Sequence, residues 1–114
     1  MQFTERIHGD ILIVMITGRL TFYSRKVFQA VIKNAGITGS QHVIINLEGV
    51  SFIDSAALGN LALAHLDLMT KHVAMSLVGP KPSVKKILEQ ANFSQLIPTY
   101  PTEELALQSV LTTN

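Results

Sequence analysis

The apolar positions follow strand rules at the start of the chain and switch to helix rules after residue 20. Residues 3–8 (FTERIH) and 11–17 (ILIVMIT) predict two strands joined across His8-Gly9-Asp10 as a hairpin, because a Gly suits so short a connection. The second is a continuous, β-branched-rich run, the pattern of a central strand covered on both faces, and Gly18 is expected to end it. From Thr21 the period lengthens. Val27, Phe28, Val31, Ile32 and Ala35 recur at three- and four-residue steps, the stripe of an amphipathic helix. Thr21 or Ser24 is placed to cap it, and Gly36 to close it in the left-handed conformation.

Residues 42–47 predict the next strand, and residues 48–53 a loop leading to Asp54-Ser55. A helix over about 56–70 follows, then a strand over 73–78 stopped by Gly79-Pro80. Pro82 opens a third helix at a first-turn position, where its missing N–H costs nothing, and Asn92 is its left-handed stop. Residues 96–100 read as a short strand. Pro98 within it assigns it to a sheet edge. Thr102 caps a last helix reaching Leu111, with Glu103 and Glu104 at its electropositive end. The order β-β-α-β-α-β-α-β-α predicts one α/β domain over residues 1–114, a mixed sheet of four to five strands with about four helices packed on it.

Composition narrows the function. A formal charge of +1 with 15% charged residues gives no field to gather nucleic acid or anionic membrane. Trp is absent, which weakens any base-stacking platform, and there is no Cys for a disulfide, thiolate metal site or thiol nucleophile. The longest apolar run, 11–16, is far short of the roughly 20 residues that cross a bilayer, and the polar N-terminus lacks a signal core. A cytoplasmic protein without cofactor or metal is expected. His8, His42, His65 and His72 form no spaced metal signature, and His65 falls on an apolar helical arc as a packed histidine.

On a helical wheel Ala57, Leu58, Leu61, His65, Leu68 and Met69 share the face expected to be buried. Ala56, Asn60, Leu63, Asp67 and Thr70 lie opposite. Beside Ser55, the residues Ala56, Gly59, Asn60 and Leu63 would make a smooth, nearly uncharged patch, fit for docking or simply short of charge. Asp54-Ser55 admits several roles. One of the two can cap the helix through a side-chain oxygen. A nucleophilic Ser55 would need a base and an oxyanion hole, yet FIDSAAL lacks the G-x-S-x-G elbow. A phosphorylated Ser55 would carry about −1.5 to −2 charge, tolerated by the helix dipole but not by a partner packed over the patch. From the residues alone, capping and switching stay open together.

The stretch VIINLEGVSFIDSAALGNLALAHL resembles STAS domains, specifically the bacterial anti-anti-sigma factors (anti-sigma factor antagonists). Their pattern is a strand ending in Asp or Asn-Leu, a short loop, then D-S-[ST]-G-L-G at a helix start. Here that reads Asn46-Leu47 and Asp54-Ser55-Ala56-Ala57-Leu58-Gly59. Thr17-Gly18-Arg19-Leu20 looks like the family's T-G-x-L, and the segment from Pro82 to Ala106 resembles its ending. The resemblance implies a non-enzymatic module whose Ser55 is phosphorylated by a partner anti-sigma factor, a histidine-kinase-like ATPase acting as a serine kinase. It implies release on phosphorylation and resetting by a PP2C-type phosphatase, with Asp54, Ala56, Ala57, Leu58, Gly59, Asn60, Leu63 and Thr21 around the contact. Ala56 replaces a second hydroxyl, Ala57 replaces a Gly, and Thr21 stands where many relatives carry an Asp. The alternative is a ligand- or nucleotide-sensing STAS module, for which residues 48–53 are the candidate entrance.

Overall fold

The computed structural model describes residues 1–112. In order they form β1 (Gln2–His8), β2 (Ile11–Leu20), a 3-10 turn (Phe22–Ser24), α1 (Arg25–Ile37), β3 (His42–Ile53), α2 (Ser55–Thr70), β4 (Ala74–Val78), α3 (Pro82–Gln90), a single turn α4 (Phe93–Leu96), β5 (Thr99–Tyr100) and α5 (Glu103–Thr112). The five strands make one sheet in the order β1-β2-β3-β4-β5. The β1–β2 pair is an antiparallel hairpin and every other pair is parallel. Parallel neighbours need crossovers, and the apolar faces of α1, α2 and α3 supply them.

Strand alternation divides the long apolar run of β2 between two cores. Leu12, Val14 and Ile16 join Val43, Ile45 and Leu47 against α1, α2, α3 and Phe93. Ile11, Ile13, Ile44 and Val78 point the other way and are covered by Ala106, Leu107 and Val110 of α5. The expectation of a strand buried on both faces holds for 11–14 and 16, all 3% exposed or less.

Four sequence expectations give way to packing. Gly18 does not end β2. The strand continues to Leu20 through Gly18 at φ +94°, with breaks in register beside it. Residues 48–53 are not a loop but the second half of β3, paired with 17–20 of β2, and with Val50 and Ile53 in the core. Gly49 is needed there because a Cβ would sit 2.6 Å from Thr17 Cγ2. Gly36 lies inside α1, and the left-handed residue is Gly39 at φ +81°. A Cβ on Gly36 would stand 3.1 Å from Lys71 Cδ, so its bareness admits the Lys71 stem between α1 and α2. Residues 96–100 are not one strand: Leu96 closes α4, Ile97 is buried, and only Thr99–Tyr100 pair, at the sheet edge.

The caps follow the sequence closely. Pro82 stands in the first turn of α3, Asn92 is left-handed at φ +57°, and Thr102 Oγ1 accepts from Leu105 N at 3.2 Å. Helix α2 buries Ala57, Leu61, Ala64 and Leu68. Ala64 thus takes the place expected for Met69, which is exposed. His65 is half-buried, with Nδ1 lacking a hydrogen-bond partner. Among the described residues no helix is long and apolar enough to cross a membrane.

Candidate functional site

Asp54 and Ser55 stand where β3 leaves the sheet and α2 begins. Asp54 N donates to Leu20 O at 3.3 Å, and its backbone stays extended as the residue before the helix. Each oxygen of its carboxylate accepts a backbone N–H. Oδ1 accepts from Ala57 N at 2.8 Å and caps α2, while Oδ2 accepts from Phe22 N at 3.0 Å and ties the 3-10 turn to the helix start. These N–H groups, Ala57 first and Phe22 next, hold the Asp54 carboxyl below the usual carboxylate range.

The cap is therefore Asp54, and Ser55 is left over. It occupies the first helical position and is exposed, and no hydrogen bond to its hydroxyl occurs among the described residues. An accessible Oγ beside the exposed N–H end of a helix is a place where an anion is favoured. Thr21 is also committed: Oγ1 accepts from Tyr23 N at 3.2 Å, and Thr21 N donates to Ser24 Oγ at 2.8 Å. It builds the turn that Asp54 anchors.

Ala56 and Asn60 are half-buried, Gly59 is exposed, and Leu63 is 64% exposed, so these four form an accessible, weakly polar surface that runs from Ser55 along the first two turns of α2. Ala57 lies on the buried face, as the wheel expects, and not at the contact that the resemblance implies for it. It is 1% exposed within the first core, and Leu58 is half-buried against the same core. The Ala-for-Gly difference at 57 thus faces inward, into the first core. Between α1 and α2 a groove of about 360 Å³ continues from Asn60 and Leu63 over Phe28 and Ile32 to Lys33 and Lys71.

Two features escaped the sequence reading. Phe22 and Tyr23 project from the turn, 47% and 90% exposed, and Arg25 and Arg19 stack on Phe22 and Phe52. Aromatic residues in a three-residue turn have no period to reveal them. Asn46 of the Asn-Leu signature, by contrast, faces the far side of the sheet. It is 1% exposed, donates to Glu103 Oε2 at 2.6 Å and accepts from Glu48 N at 2.8 Å. The entrance assigned to residues 48–53 does not exist as a loop, since they are paired strand.

Residues 2–106 match the STAS domain family. The chain belongs to that family. It is 33% identical over 88 residues to a STAS-domain containing protein of Pseudomonas aeruginosa, covering 77% of this chain and 86% of that one. The anti-sigma F factor antagonist of Paenibacillus polymyxa is 23% identical over 108 residues, or 94% and 92% of the two chains. In structure this STAS domain superposes on the Bacillus anti-sigma factor antagonist SpoIIAA in its unphosphorylated form with a TM-score of 0.80, at 23% identity and 97% coverage of each. Its phosphorylated form matches with a TM-score of 0.71 at 22% identity, covering 96% of this chain and 99% of that one. The architecture is that of the STAS fold.

Proposed function

We propose that this STAS domain is a phosphorylation-controlled partner-switching regulator acting in the cytoplasm by binding rather than catalysis. With Ser55 unmodified it binds an anti-sigma factor of the histidine-kinase-like ATPase type. Phosphorylation of Ser55 by that partner releases it, and a PP2C-type phosphatase restores binding. One observation carries the reading: Asp54 takes the capping role, so the Ser55 hydroxyl stands exposed and uncommitted beside Ala56, Gly59, Asn60 and Leu63.

A phosphate there stays solvated in the free domain and lies at the favourable end of α2. Under a docked partner it becomes a buried charge of about −1.5 to −2, which the neutral patch leaves unpaired. The difference between free and bound states is what turns modification into release. Relatives named as anti-sigma factor antagonists support this partner class, and SpoIIAA, known in unphosphorylated and phosphorylated forms, supports the chemistry.

The test is incubation with Mg-ATP and each histidine-kinase-like ATPase of the source organism, followed by intact-mass and fragment analysis. One phosphate on Ser55 is expected, and none on Ser55→Ala. Ser55→Ala should keep binding, and Ser55→Glu should weaken it by at least about tenfold. A chain left unmodified at Ser55, or one bound equally well in both states, refutes the reading.

A further inference from the structure

The two segments that frame Ser55, residues 18–30 and 49–61, hold three cations, Arg19, Arg25 and Lys26, and one carboxylate, Asp54. Both Asp54 oxygens are already filled by backbone N–H groups. These two segments are thus basic in a chain whose overall charge is only +1, their cations lying on β2 and α1, apart from the uncharged start of α2.

Two of the three cations are held on aromatic rings. The Arg25 guanidinium lies 3.8 Å from the Phe22 ring centroid and donates Nη1–H to Phe22 O at 3.0 Å. Tyr23 meets Phe22 edge-on at 5.6 Å, and Arg19 lies 4.4 Å from the Phe52 ring centroid. The turn beneath is fixed by the reciprocal Thr21–Ser24 bonds and by Asp54. Tyr23, 90% exposed, contributes little to the fold. Rigid, pre-ordered Tyr and Arg side chains at a surface are the make-up of binding hot spots, because little freedom is lost when they are covered.

We infer that the Phe22–Tyr23 turn, with Arg25 and Arg19, is the anchor for a protein partner that presents carboxylates opposite the two guanidinium groups. The inference rests on the partner-switching reading of Ser55 and says what kind of surface that partner brings. Single-stranded nucleic acid is the competing occupant of an aromatic and basic surface. It stacks successive bases on several open ring faces, and here a guanidinium covers a face of Phe22 and of Phe52, so that of these three rings Tyr23 alone carries none.

The experiment measures affinity and association rate of the unphosphorylated chain with the source organism's histidine-kinase-like ATPases at low and high salt. Wild type, Arg19→Glu, Arg25→Glu and Tyr23→Ala are compared, each checked by thermal unfolding. Binding should weaken with salt, and each charge reversal should reduce affinity by at least about tenfold, mostly through association rate. Tyr23→Ala, which removes the edge-on contact to Phe22 and no core packing, should raise the dissociation rate. Wild-type binding with both reversals within about twofold of it overturns the inference and leaves the Ser55 switch standing. Wild type that binds no such ATPase overturns both. Binding of labelled oligo-dT that Arg25→Glu abolishes would reassign the surface to nucleic acid.

Discussion

Asn46 is part of the family-like signature, yet its side chain works under α5, on the opposite face of the sheet from α2. Its Nδ2 donates to Glu103 Oε2 at 2.6 Å, its Oδ1 accepts from Glu48 N at 2.8 Å, and Arg6 pairs with the other oxygen of Glu103. Replacing Asn46 with Ala removes a bond to a charged acceptor, about 1.5–3 kcal/mol, and orphans one backbone N–H. The neighbouring cavity, lined by Thr4, Arg6, Met15 and Glu48, is open to water and softens the second loss. The expected cost is about 2–3 kcal/mol, a fall of about 10 °C in Tm for a domain of this size. Asn46→Asp keeps the shape and the acceptor for Glu48 N but puts a carboxylate oxygen where Glu103 requires a donor. At neutral pH it should lose at least as much as Ala. Urea unfolding followed by circular dichroism reads both variants, with partner binding measured on the folded fraction and expected unchanged. A loss under about 0.5 kcal/mol for Ala, or an Asp variant as stable as wild type, would refute this account of the network.

Gly79 has φ +65° and a Cβ there would overlap Glu48 Cγ, so Gly79→Ala should cost about 1–2 kcal/mol in urea unfolding; a neutral result would show that the turn relaxes freely. Burial lowers the pKa of His42 from 6.5, with Asp10 opposing, while Nε2 lies 3.0 Å from Ser76 Oγ. The unfolded chain therefore takes up the proton first as pH falls. Stability should drop from about pH 6.5 down to the lower folded value and then level, so wild type should lose more than His42→Gln between about pH 7.5 and 5.5, and equal losses would exclude His42 as the cause.

The order of elements was legible because most boundaries carry local chemistry: Pro82 in a first turn, Asn92 left-handed, Thr102 capping α5. The second half of β3 was not. Glu48-Gly49 reads as a turn until Thr17 is brought against Gly49, and only the tertiary approach shows that the Gly serves a strand. On α2 the wheel exchanged Ala64 and Met69, since a helix apolar nearly all round gives the wheel little contrast. The motif places Ser55 at the start of α2. Which of Asp54 and Ser55 caps the helix was not legible, because either side chain can reach, and the choice is made by Phe22 N–H, which arrives from another segment and takes the second Asp54 oxygen.

The three helices on one face of the sheet give an internal control for what α2 is for. Each must bury one face, and none needs an apolar outer face to do so. Helix α1 exposes Lys26, Gln29, Lys33 and Asn34 along with Val27 and Ile37, and α3 exposes Lys85, Lys86, Glu89 and Gln90. Helix α2 instead exposes Gly59, Leu63, Leu66 and Met69, with no Asp, Glu, Lys or Arg between Ser55 and Asp67. Covering a sheet does not account for that difference, and it is the difference expected of α2 under the proposed partner-switching reading. The first charges on α2, Asp67 with Lys71 at 3.3 Å, come at its far end. A phosphate on Ser55 would then place about −1.5 to −2 charge on the half of the helix that otherwise has none, where its effect on a docked surface is largest.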